Sequence, residues 1–158
     1  MPQKKVTRVE FPTKPLLLSQ STLLKRVAAY ARVSTMKDAQ ENSLQSQQEY
    51  FAEYIRQHPD WVFAGMYTDD GVSGLSIRRR DGFNRMVHDA LDGKIDHIIT
   101  KSISRFSRNT VTLLETVREL KELGISVYFE EQSIDTATAD GELMLSILAS
   151  YAQEESLS

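Results

Sequence analysis

The chain has 158 residues, of which 41% are hydrophobic and 26% charged, enough for one globular domain with a full core and too little for two. It contains no cysteine, which excludes a disulfide framework and a thiolate metal site and fits a reducing compartment. Its formal net charge is −3, unlike a chain that lives on nonspecific DNA affinity, and basic residues gather instead at the amino terminus, at 78–80 and at 101–108.

Residues 1–25 lack the apolar core of a signal peptide; "PLLL" at 15–18 is a short apolar patch, and the segment reads as a flexible or loosely docked arm. No apolar run approaches the length needed to cross a bilayer, so no membrane partner is expected and a cytoplasmic setting is. Val27 to Val33 reads as a buried strand that leads into "YARVS", residues 30–34. The period of two places Tyr30, Arg32 and Ser34 on one face where that strand ends.

Asn42 with Gln45 offers a capping box for a helix carrying Leu44, Phe51 and Ile55 on one face and stopped at His58-Pro59. Gln47 stands beside that buried stripe. Trp61 to Thr68 is a second strand, and "DDGVSGLSIRRRDG" at 69–82 reads as a loop, one expected to be mobile in the free domain. Phe83, Met86, Val87, Ala90 and Leu91 trace an amphipathic helix ending near Gly93, followed by a strand over Asp96 to Lys101.

"KSISRFSRN" leaves that strand, and as a helical turn it would put Arg105 and Arg108 on one face. Thr112 with Glu115 offers another capping box for a helix with Leu113, Leu114, Val117 and Leu120 inside, closing at Gly124 before a strand over Ile125 to Phe129. The last helix starts near Asp140 and is apolar on more than one face, with no stop signal before the chain end; a truncated helix and a partner surface both follow from that pattern. Strands alternating with helices predict an α/β fold with a mostly parallel central sheet flanked by helices on both faces.

In open parallel sheets, functional groups collect at the carboxyl ends of the strands. Two such ends deliver Ser34, Arg32, Arg105 and Arg108 toward one crevice, and the loop adds Arg80. A serine hydroxyl among guanidinium groups, without a histidine partner, suits phosphoryl transfer better than acyl transfer, and needs no metal. There is no P-loop and no G-x-G-x-x-G after a strand, so no nucleotide cofactor is expected. Each piece alone is also compatible with an ordinary solvated surface; their convergence on one sheet edge favours a site.

The motifs "YARVS" (30–34), "SLQSQ" (43–47), "DDGVSG" (69–74), "RDGF" (80–83), "SRFSRN" (104–109) and "DGELMLSILASYAQEES" (140–156) resemble, in order, the catalytic domain of the serine recombinases, the resolvase/invertase superfamily. The wording "ISRFSRN" and "AQEES" is similar to the large branch, the phage integrases and mobile-element transposases. The resemblance implies a resolvase-like core over 26–139 and a long interface helix from 140 to 158 that leads toward separate DNA-binding domains.

It also implies roles. Ser34 would be the nucleophile that forms a 5′-phosphoserine link to double-stranded DNA at specific recombination sites. Arg32, Arg105 and Arg108 would hold the scissile phosphate, Arg80 would join them on assembly, and Gln47 would hydrogen-bond nearby. Asp70 and Asp96 would orient arginines, and Glu155 would lie near the dimer interface and cleavage site. Homodimers would pair into a synaptic homotetramer in a bacterial or phage-derived system. Ser104 departs from the small resolvases, which carry an aspartate there, so the general acid stays unassigned. A non-catalytic self-association module and a flavodoxin-like phosphoprotein are the competing readings; the first would be favoured by loss of the serine or of two arginines, the second by a glycine-rich phosphate turn or an acidic pocket.

Overall fold

The computed structural model describes residues 23–33, 35–41, 43–71 and 80–157. The arm up to residue 22, Ser34, Asn42 and the loop residues 72–79 therefore lie outside the described residues, as does the side chain of Glu155.

Five strands form one sheet in the order β2-β1-β3-β4-β5. They are β1 (Lys25–Val33), β2 (Trp61–Asp70), β3 (His97–Thr100), β4 (Ser126–Phe129) and β5 (Ile134–Asp135). β1 pairs in parallel with β2 and β3, and β3 with β4; the two-residue β5 closes the edge antiparallel to β4. β1 starts at Lys25, inside the span assigned to the arm, because Lys25 N already bonds Asp60 O at 3.0 Å beside β2.

The helices are α1 (Met36–Glu41), α2 (Leu44–Arg56), α3 (Asp81–Leu91), α4 (Ile103–Phe106), α5 (Thr110–Glu122) and α6 (Ala139–Leu157). Alternation along β1 divides the core. Val27 and Ala29 pack with Phe51 and Ile55 of α2, while Ala28 and Tyr30 face Phe83, Met86 and Ala90 of α3, Leu113, Val117 and Leu120 of α5, and Met144 and Leu145 of α6. The central strands are thus covered on both faces, which is why β3 is buried at every position.

Three local expectations need correction. Ser43, not Asn42, caps α2, its hydroxyl accepting from Ser46 N at 3.1 Å. Asn109, not Thr112, caps α5, its side chain accepting from Thr112 N at 2.9 Å. The turn after β3 is helical only from Ile103 to Phe106, and Ser107 returns to extended backbone (φ −163°), so Arg105 and Arg108 do not share a helical face.

Candidate active site

The carboxyl edge of the sheet is floored by rings. Tyr30 meets Phe83 edge-on at 5.5 Å, Phe83 meets Phe106 at 4.9 Å, and Phe106 meets Phe129 at 5.7 Å. This apolar row ties β1, α3, α4 and β4 together beneath the arginines.

Arg32 is half-buried at the end of β1, one alternation beyond Tyr30. Its Nη2 donates to Ser104 O at 3.0 Å and its Nε to Arg105 O at 3.3 Å, so the strand end and α4 hold each other. Burial pushes the Arg32 guanidinium below its ordinary value; Tyr30 opposes this, and the positive charges of Arg80, Arg108 and Arg105 each add to the lowering. The Arg32 guanidinium therefore feels three others at this edge. An anion placed among them would relieve that repulsion, and the planar fork of arginine matches phosphate oxygens.

Arg80 sits at the entry to α3 with its guanidinium 3.7 Å from the centre of the Phe83 ring. It donates to Phe106 O and, at 3.3 Å, to the Tyr30 hydroxyl. That start of α3 is fastened by Asp69, whose carboxylate accepts from Gly82 N at 2.8 Å, Phe83 N at 2.9 Å and the Tyr30 hydroxyl at 2.7 Å. Gly82 is obligatory there, because a Cβ would stand 2.2 Å from Thr68 O.

Arg105 donates to Arg32 O at 2.6 Å through Nη1, and through both terminal nitrogens to the carboxylate of Asp38 on α1, with Nη2 to Oδ1 at 2.6 Å. The carboxylate raises the Arg105 guanidinium above its ordinary value, outweighing burial. Arg108 follows on the exposed stretch before α5 and lines, with Ser104, Ser107 and Thr110, a cavity of about 410 Å³ reaching Leu113 and Leu148. Ser104 is exposed, its hydroxyl 3.2 Å from that of Ser102.

Gln47 is buried on α2, on the other side of the sheet edge. It lines a cavity of about 370 Å³ with Ser46, Tyr50, Phe51, Lys101 and Glu130. Tyr50 donates to Glu130, and that bond, more than burial, pushes its phenol up to about 12.

The structure brings together Tyr30, Arg32, Arg80, Ser104, Arg105 and, by its electrostatic effect, Arg108. The described flanks of Ser34, Val33 and Thr35, join the same edge. Asp96 does not belong to this cluster. It bonds Arg26 N at 2.8 Å and grips the Arg26 guanidinium at 2.9 Å through both oxygens, six residues back along β1 from Arg32, or about 20 Å away. It orients an arginine, but one at the amino edge. Asp70 is exposed at the end of β2, and it is the preceding Asp69 that turns inward.

Two carboxylates at this edge, Asp38 and Asp69, escaped the sequence reading. For Asp69 the signal was present: alternation along β2 puts Tyr67 and Asp69 on the face shared with Tyr30. For Asp38 nothing in the six-residue α1 marked a buried acid. Among the described residues, no group of three or more His, Cys, Asp or Glu side chains is arranged to hold a metal. Among them too, no helix is long and apolar enough to cross a membrane.

The family model "Resolvase, N terminal domain" matches residues 27–157. A resolvase/recombinase of Pseudomonas putida is 26% identical over 132 residues, 84% of this chain and 66% of that protein, so the chain spans just under two thirds of that curated relative. The N-terminal catalytic domain of TP901-1 integrase superposes with a TM-score of 0.68 at 31% identity, covering 83% of this chain and 96% of that one. A resolvase family site-specific recombinase from Streptococcus pneumoniae gives 0.70 at 32% identity, covering 83% and 87%. The mostly parallel sheet flanked by helices is accordingly a resolvase-like α/β fold.

Proposed function

The chain belongs to the resolvase N-terminal domain family, and from that premise we propose that it is the catalytic domain of a serine site-specific recombinase acting on double-stranded DNA. The observation that carries the reading is the meeting of Arg32, Arg80 and Arg105 over one strand edge, locked by guanidinium-to-carbonyl bonds that join β1 and the entry of α3 to α4.

Ser34 is the nucleophile of this reading. Its Oγ attacks the scissile phosphorus, the P–O3′ bond breaks, the serine proton departs, and the 3′-oxygen is protonated. A 5′-phosphoserine diester and a free 3′-hydroxyl result. One phosphodiester is exchanged for another, so the strand can be rejoined by the reverse attack without an energy source. Arg32, Arg105 and Arg108 hold the non-bridging oxygens, whose charge grows in the transition state, and Arg80 joins them from the start of α3. Gln47 contributes from α2, and no metal is required.

DNA at specific sites, a homodimer and a synaptic homotetramer are the partners of this reading, in the cytoplasm of a bacterial or phage-derived system. The catalytic core of this reading starts with β1 at Lys25, after an amino-terminal arm, and the interface helix starts near 140. The exposed Leu143, Ile147 and Tyr151 along α6 support an interface there.

The test joins the chain to a DNA-binding domain of known site and incubates it, in EDTA, with a target nicked beside the crossover so that cleaved strands cannot rejoin. A protein–DNA 5′ adduct that forms without metal and is lost in Ser34→Ala is the expected result. No adduct, despite confirmed binding by a folded dimer, would transfer the chain to the non-catalytic self-association reading.

A further inference from the structure

α1 is short, and five of its six residues face outward or lie half-covered; its one buried residue is the charged Asp38. Burying a carboxylate is costly unless it is paired and hydrogen-bonded. Here the side chain of Asp38 is 9% exposed and that of its partner Arg105 is 17% exposed. Both carboxylate oxygens take a hydrogen bond from Arg105, one from each terminal nitrogen. Thr35 Oγ1 accepts from Asp38 N at 3.0 Å, fixing the first turn of α1 from which the acid projects.

The Arg105 nitrogen that holds Asp38 also donates to Arg32 O at 2.6 Å. One guanidinium therefore bridges the residue two before position 34 and the residue four after it. The bidentate grip fixes the plane of the fork. Nη1 is spent inward, while among the described residues Nε and the second hydrogen of Nη2 have no bonded acceptor.

We propose that Asp38 is a positioning residue of the recombinase site, setting the plane of Arg105 so that its remaining donors meet the scissile phosphate. The inference rests on the recombinase reading given above and assigns Asp38 no contact with DNA. It accounts for a buried, paired acid as the one buried residue of a six-residue helix.

The test uses the fusion to a DNA-binding domain, single-turnover adduct formation on the nicked site at saturating DNA, and separate measurement of the dissociation constant. Asp38→Asn keeps the shape and one accepting oxygen but removes the charge-assisted pair. It should slow adduct formation about 10- to 100-fold while leaving DNA affinity within about twofold. Asp38→Glu should recover part of the rate. In an Arg105→Lys background, which already lacks the planar fork, Asp38→Asn should cost little more. In the free chain, the side-chain N–H resonances of Arg105 should shift and exchange faster in Asp38→Asn, a signature that general loss of stability does not produce at one arginine.

A wild-type rate in Asp38→Asn, or a loss that adds in full to that of Arg105→Lys, would overturn the assignment. Unchanged Arg105 resonances would overturn it as well. If the wild-type fusion binds its site and forms no adduct, the recombinase reading itself fails and this role falls with it. That outcome is distinct from a wild type that reacts and an Asp38→Asn that reacts as fast.

Discussion

The Tyr30 hydroxyl donates to Asp69 at 2.7 Å while accepting from Arg80 at 3.3 Å, so one phenol links the end of β2 to the arginine that opens α3. Burial first, and the Asp69 bond second, hold that phenol well above its ordinary range, so it is a neutral donor at neutral pH. Tyr30→Phe keeps the ring packing against Phe83 and deletes only this link. It should cost about 1 kcal/mol in urea unfolding, and adduct formation should slow because Arg80 loses a tether. Loss of stability with no change in cleavage rate would show that Phe106 O and the Phe83 ring suffice to place Arg80.

Gly82 permits the first turn of α3 to lie against β2. An added Cβ would meet Thr68 O at 2.2 Å and Thr68 C at 2.9 Å, both backbone atoms that cannot step aside alone. Gly82→Ala should therefore cost about 3 kcal/mol or more, and should move Arg80, two residues earlier. Melting temperature checks the first expectation. An Ala variant as stable as the wild type would mean that α3 shifts freely, contrary to the three bonds at Asp69.

His97 opens β3 with its ring buried and its Nδ1 2.6 Å from Ser126 Oγ. Burial pulls its pKa down from 6.5 to about 4. The unfolded chain then binds a proton between those values that the folded one refuses, so stability falls as pH drops from about 6.5 to about 4, by on the order of 3 kcal/mol. Asp96, held low mainly by Arg26, loses its contribution only below the ordinary carboxylate value, in a separate and more acid window. Urea unfolding at stepped pH should show the first decline, and His97→Gln should flatten it while leaving the second.

How far the site was legible follows from what each residue buries. β1, α2, α3 and α5 announce themselves because Phe51, Ile55, Met86, Val117 and their neighbours repeat at the period of their element. α1 and α4, six and four residues long, are too short for any period, and both carry the site's key contacts. Ser43 and Asn109 each compete with a plausible cap within three residues, and only the backbone entry angle decides between them. The arginines were readable as strand-end groups. Their carboxylate partners were not, since pattern alone cannot tell a buried Asp38 from a solvated one.

α6 carries the last prediction. Met144 and Leu145 are buried against the core, whereas Leu143, Ile147 and Tyr151, spaced by four, are 61%, 49% and 57% exposed. A stripe at that spacing is one continuous helix face. Self-association along it would bury each side chain twice in a symmetric pair, contributing about 1 kcal/mol per side chain. Ile147→Glu with Tyr151→Glu should raise the dimer dissociation constant about 100-fold or more, without lowering the melting temperature of the monomer. Sedimentation equilibrium on both proteins reads this directly. A wild type that stays monomeric at every accessible concentration would move the interface elsewhere, and a variant that still dimerises would show that the contact does not use this face.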